Sequence, residues 1–183
     1  MRNFLKTGKP PQAKRDVGAS EVQLRHAFES HRQELSDLAL FLTGRPDLAE
    51  ACIVDASGPS APAIPVFLDW LEQWARHATI KAAIRLMHAQ IIEAARGYEG
   101  RKCYCQDHAL EQTEIVEALK AKIVEASSLD PLARFALVLR SIERYSAAES
   151  ALLLEIAAAR VEAAHCAALH TLGIATCQSH VAR

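Results

Sequence analysis

Three potential metal ligands lie close together in the middle of the chain, at Cys103, Cys105 and His108. Thiolate and imidazole are the ligands that Zn²⁺ prefers. Further candidates that would complete a site are His165, Cys166, His170, Cys177 and His180. The paired C-x-x-C spacing of structural zinc sites is absent, however. Two alternatives therefore remain, which are a flexible linker with unligated thiols and a redox role for Cys103 and Cys105. We expect no metal or cofactor.

Catalytic groups are sparse in the rest of the chain. Glu50 and Asp55 are five residues apart on a short predicted helix, a pattern more typical of a solvated acidic face than of acid–base chemistry. No glycine-rich phosphate loop and no nucleophile motif accompanies them. The sequence therefore predicts that the protein is not an enzyme.

Basic side chains form the other chemically suggestive pattern. Arg76, His77, Lys81 and Arg85 are spaced so that they could share one side of a helix, and residues 1–19 form a basic arm without periodicity. Either group could contact the phosphates of a nucleic acid. A solvated helix face and an ordinary disordered terminus are the alternatives, because the net charge of the chain is only −1.

The elements that must position these residues are predicted to be helices. Half of the residues are hydrophobic and aromatic residues are few, while alanine and leucine dominate, so we expect an all-α fold. Apolar periodicity predicts helices over 20–43, 47–55, 66–96 and 110–128. Ser20 with Gln23 forms a capping box, Gly44 and Gly97 end helices, and the loop 58–65 separates the second helix from the third.

No signal sequence and no apolar run of membrane-spanning length is visible. Five cysteines, an odd number, in a chain without an export signal favour reduced thiols and a cytoplasmic location.

Two helix-start signals organise residues 129–172. Asp130 followed by Pro131 predicts the start of a helix with its apolar face over 132–142, and Ser146 with Glu149 forms a capping box. A short helix over 147–154 and a longer one ending near Leu172 would follow. Since no glycine separates these two, one continuous helix over 147–172 is an alternative.

The chain resembles the sigma-70 family of RNA polymerase sigma factors, in the extracytoplasmic-function type. In the N-terminal half, the matching positions are Leu42, Thr43, Gly44, Ala49, Glu50 and Asp55, then Phe67, Trp70, Leu71, Ala75, Arg76 and Ile80. In the C-terminal half they are Arg134, Leu137 to Arg140, Tyr145, Ser146, Glu149, Ala151, Leu154 and Val161. The matches follow the order of the family and cover most of the chain.

The resemblance implies two small helical domains joined by a linker, the C-terminal one a helix-turn-helix-like bundle. The corresponding boundaries are a basic arm at 1–19, an N-terminal domain at 20–97, a linker at 98–109, a C-terminal domain at 110–173 and a tail at 174–183. It further implies binding of RNA polymerase core through Leu48, Glu50 and Asp55. Promoter DNA would be contacted through Arg76, His77, Lys81, Arg85, Arg160, Glu162 and His165, so that the protein directs transcription initiation. An anti-sigma protein is a further expected partner.

The predicted recognition helix departs from the family pattern. Ala157 stands at the usual capping serine, and Glu162, Ala163 and Ala164 stand where the family has polar and basic residues. Alanine cannot donate hydrogen bonds to bases, and a carboxylate repels phosphate. The alternative hypothesis is therefore an interaction protein that keeps the sigma-like helices, has lost promoter reading, and binds protein partners through apolar helix faces.

Overall fold

The computed structural model describes residues 20–58, 70–104, 128–173 and 178–181, with only the backbone of 102–104 and 178–181. Outside the described residues lie the predicted basic arm, residues 59–69, most of the linker, and residues 110–127 of the helix predicted over 110–128. Among the helices that are described, none is both long and apolar enough to cross a membrane.

The described part of the N-terminal half contains four helices: α1 (Glu21–Ser30), α2 (Arg32–Thr43), α3 (Pro46–Ala56) and α4 (Leu71–Arg96). The capping box of Ser20 and Gln23 begins α1, as predicted. Gly44 ends α2 in the left-handed conformation, with φ of 67°. Both predicted end signals are thus confirmed.

The single helix predicted over 20–43 is broken at His31. Its backbone leaves helical geometry, with φ of −109° and ψ of 17°, so α1 and α2 are separate helices. The break lets Phe28 pack edge-on against Trp74 of α4, with ring centroids 5.5 Å apart. Trp74 is half-buried in this contact, whereas Trp70 is 59% exposed.

Three helices form the described C-terminal half: α5 (Pro131–Leu137), α6 (Ala147–Leu154) and α7 (Ala158–Thr171). Asp130 accepts a hydrogen bond from the N–H of Ala133 and Ser146 closes a capping box, which confirms both predicted starts. A π-helical segment (Val138–Ile142) continues α5.

The alternative of one continuous helix over 147–172 is wrong. Glu155 adopts a left-handed conformation, with φ of 56° and ψ of 39°, and ends α6. Three residues, Glu155 to Ala157, separate α6 from α7. A left-handed conformation is costly for a residue with a Cβ, so packing on both sides must hold this turn.

Among the described residues, the regular structure is helical apart from one two-stranded ribbon. Strands β1 (Arg101–Tyr104) and β2 (Gln178–Val181) pair antiparallel, with Arg101 opposite Val181 and Tyr104 opposite Gln178. Strand β1 also packs against α7. The sequence predicted a linker here and no strand.

One continuous apolar core joins helices of both halves. Its fully buried members include Leu42 of α2, Ile80 of α4, Phe135 of α5 and Val161 of α7. α5 contacts α2 and α4, and α6 contacts α4. The described helices of the two predicted domains therefore pack directly on one another.

Candidate nucleic-acid and protein interface

The four basic residues predicted on α4 lie on one long, uninterrupted helix. At about 100° per residue, His77, Lys81 and Arg85 fall within about 80° of one another, and His88 falls in the same stripe. Arg76 is about 100° from His77 and about 180° from Arg85 around the helix, so it flanks the N-terminal end of this stripe and does not lie in it. These five residues, Arg76, His77, Lys81, Arg85 and His88, are called the basic ridge below.

The N-terminal end of the ridge is engaged by the segment that follows α5. Arg76 Nη2 donates to Glu143 Oε1 at 2.6 Å, and the two side chains are 27% and 20% exposed. The Tyr145 hydroxyl lies 2.9 Å from His77 Nδ1. Burial lowers the pKa of His77, nearby Lys81 adds to this, and Glu143 opposes it. The imidazole is thus held mainly in its neutral form.

The C-terminal end of the ridge is paired by two other elements. Arg85 Nη2 donates to Asp55 Oδ2 of α3 at 2.5 Å. His88 Nε2 lies 3.2 Å from Glu155 Oε2, although the angles do not make a hydrogen bond, so any attraction is coulombic. Lys81 is exposed and has no ion pair with any described residue.

The predicted DNA-binding residues of α7 are also largely engaged within the chain. Arg160 donates to Glu99 at 3.1 Å. His165 is half-buried, and its Nε2 lies 2.7 Å from the Ser141 hydroxyl. Glu162 is exposed. The exposed residues of α7 are Ala159, Glu162, His170 and Thr171, so its solvent-facing side carries one carboxylate and no exposed arginine or lysine.

The predicted polymerase-binding residues lie on different sides of α3. Leu48 is half-buried against the core and Asp55 pairs with Arg85. Glu50 is exposed and points about 200° away from Leu48 around the helix. Val54, on the same side as Glu50, is 66% exposed. The exposed residues of α3 therefore include Glu50 and Val54, besides Pro46, Asp47, Ala51 and Asp55.

A cleft of about 510 Å³ lies between α4 and α6. Its apolar lining comes from Ile84, Leu152 and Leu153, and its polar lining from the C-terminal end of the ridge and Glu155. Leu152 is 80% exposed. The ridge is thus bordered by apolar surface on one side.

The predicted metal ligands are not tested. Cys105, His108 and the side chain of Cys103 lie outside the described residues. Cys166 is disulfide-bonded, which differs from the expectation of reduced thiols. Cys52 is free and buried, and burial raises its pKa to about 11. Among the described residues, ligand atoms of His31, Glu34 and Glu72 lie within 4.8 Å of one another on the surface.

Several residues of this interface were missed by sequence reasoning. Glu143, Tyr145 and Glu155 engage the ridge, yet Glu143 and Tyr145 are more than 60 positions from their partners. No spacing rule connects positions so far apart. The exposure of Val54 and Leu152 likewise depends on how the helices pack.

Comparison of the chain with protein-family models, with curated proteins and with solved structures gives no match.

Proposed function

We propose that this protein is a sigma-factor-like protein that binds RNA polymerase core and takes part in transcription initiation. The observation that supports the proposal most is the unit α5–α6–α7. α6 and α7 are separated by a three-residue turn, and α5 packs across α7. A helix-turn-helix likewise has two helices joined by a short turn, with the second helix presented for recognition, so this unit supports the proposal.

The order of the N-terminal helices supports the same proposal. Two helices and the short α3 precede one long helix, α4, that carries the basic ridge. In the sigma family, helices at the position of α3 dock on polymerase and a helix at the position of α4 reads the promoter. The exposed Glu50 and Val54 give α3 an acidic and apolar surface for a protein partner.

A second candidate function is an interaction protein without promoter reading. The specific observation in its favour is that Arg76, Arg85 and Arg160 each pair with a carboxylate of the same chain. The exposed side chain of Leu152 adds apolar surface beside the ridge. Both functions require a protein partner, and they differ in whether DNA is bound.

Binding of the purified protein to core RNA polymerase tests the proposal. Val54→Asp would place a charge on the exposed side of α3 and should weaken core binding at least tenfold. Val22→Asp on α1 is the matched control, because Val22 is similarly exposed, at 77%. Equal binding by both variants, or no binding by the unmodified protein, would refute docking through α3.

Promoter-like DNA added to the protein–core complex separates the two candidate functions. Sequence-specific retention of DNA supports promoter reading. Core binding without any DNA retention supports the interaction protein.

A further inference from the structure

The basic ridge of α4 is accompanied along its length by three carboxylates from three separate elements. Glu143 comes from the segment after α5, Asp55 from α3 and Glu155 from the turn between α6 and α7. Arg76 and His88 are twelve positions apart, so the ridge is about 18 Å long at 1.5 Å per residue. Carboxylates are therefore present near both of its ends.

The charges of ridge and carboxylates cancel. Arg76, Lys81 and Arg85 contribute three permanent positive charges. Asp55, Glu143 and Glu155 contribute three negative ones, and the fold holds His77 mainly neutral. A surface of zero net charge releases few counterions from a polyanion, so it binds nucleic acid weakly.

We infer that Asp55, Glu143 and Glu155 occupy the places of phosphate groups and hold a nucleic-acid-binding ridge in a neutralised state. This inference rests on the proposed function and adds the regulation of its DNA-binding surface. The ligand is the phosphate backbone of a nucleic acid. A phosphate makes the same kind of charge-assisted hydrogen bond to arginine that Asp55 makes with Arg85 and Glu143 makes with Arg76.

The three carboxylates are not equally easy to displace. The Asp55–Arg85 pair is about half-exposed, at 47% and 59%, and exposed ion pairs contribute little stability. Glu155 is 74% exposed and makes no hydrogen bond to His88. The Glu143–Arg76 pair is the most buried of the three and adjoins the bond between Tyr145 and His77. Glu143 is therefore the strongest of the three restraints.

Replacing the three carboxylates by amides of nearly the same size tests the inference. The triple variant Asp55→Asn, Glu143→Gln, Glu155→Gln leaves three unopposed positive charges on the ridge. We expect it to bind a fluorescein-labelled random-sequence 25-base-pair DNA at least tenfold more tightly than the unmodified protein at 50 mM salt. The slope of log K against log salt should steepen by about 2 to 3, because each neutralised phosphate contributes about 0.9.

A control variant with the same change in net charge removes non-specific attraction from the comparison. Glu21→Gln, Glu29→Gln and Glu34→Gln change three exposed carboxylates of α1 and α2, and Glu21→Gln also breaks a surface ion pair with Arg25. If both triple variants gain the same affinity and the same slope, the inference is wrong. The single variant Glu155→Gln, at an exposed position, serves if the triple variant does not fold, and it should give the smallest gain.

Core polymerase binding by the double variant Glu143→Gln, Glu155→Gln separates this inference from the proposed function. That variant leaves α3 unchanged. Binding to core with no gain in DNA affinity would overturn the inference alone. A gain in DNA affinity without binding to core would support the inference and overturn the proposed function.

Discussion

Replacement of Gly44 by alanine probes the contact between the two halves of the chain. Gly44 has φ of 67°, and a Cβ at this position would lie 2.1 Å from Arg134 Nη1 and 3.0 Å from Arg134 Cζ. Arg134 belongs to α5 and is only 7% exposed, so its guanidinium has little room to move aside. Gly44→Ala therefore forces either the backbone or a buried arginine to shift.

Two contributions should lower the free energy of unfolding of the Gly44→Ala variant. A left-handed conformation costs an alanine about 1–2 kcal/mol. Overpacking a closely packed site costs about 1–3 kcal/mol more. We therefore expect Gly44→Ala to lower the free energy of unfolding, measured by urea denaturation, by about 2–5 kcal/mol.

Gly100 provides a matched control for the backbone contribution. Its φ is 71°, nearly the same, but nothing lies within 4 Å of the Cβ that alanine would add. Gly100→Ala should therefore cost only the conformational part, about 1–2 kcal/mol. The difference between the two variants measures the clash with Arg134.

A double-mutant cycle with Arg134→Ala completes the test. Once the guanidinium is absent, Gly44→Ala should cost no more than Gly100→Ala, which corresponds to a coupling of about 1–3 kcal/mol. If Gly44→Ala costs the same with and without Arg134, the two residues are not in contact, and the packing of α2 against α5 described above is wrong.

Three further predictions concern single side chains. Glu155→Gly should be more stable than Glu155→Ala by about 1 kcal/mol in urea denaturation, because both lose the carboxylate but only glycine relieves the left-handed strain. The fold lowers the pKa of His77, so its neutral form is favoured. Stability should be fully present above the unfolded pKa of about 6.5 and decline as the pH falls below it. His77→Gln should flatten that decline between pH 7.5 and pH 5, whereas His26→Gln, at an exposed position, should not. Cys52, with a pKa of about 11 and no exposed surface, should resist iodoacetamide at pH 8 in the native protein and react fully in 8 M urea, as read by mass spectrometry of its peptide. Rapid native labelling of Cys52 would contradict its burial.

Local signals predicted the ends of the helices well. The caps at Ser20, Asp130 and Ser146 and the left-handed Gly44 depend on residues within a few positions of one another. Because helix caps are determined by neighbouring residues, capping rules can identify them from the sequence.

Features that depend on packing could not be predicted in this way. No glycine or proline lies at His31 to signal a helix break in the sequence. The break accompanies the packing of Phe28 against Trp74. The turn at Glu155 differs, because the short helix predicted over 147–154 does end there. At His31, tertiary contacts outweigh local preference.

In the candidate site, too, local features could be predicted from the sequence and tertiary contacts could not. Helical spacing correctly predicts that His77, Lys81 and Arg85 share one side of α4. It cannot reveal that Glu143 and Tyr145 lie against that helix, because a sequence separation of 67 or 68 residues carries no periodic signal. Whether the basic side chains are available to a ligand therefore depends on the tertiary structure.

The β1–β2 ribbon has a consequence for the order in which the chain folds. Arg101 pairs with Val181, so the ribbon cannot form until synthesis has passed residue 181. Closing so long a loop also costs more entropy than a local hairpin. While the chain emerges from the ribosome, β1 has no partner strand, and α1 to α4 must hold their structure without it. We therefore expect the ribbon to form late, after the N-terminal helices have acquired protection against hydrogen exchange.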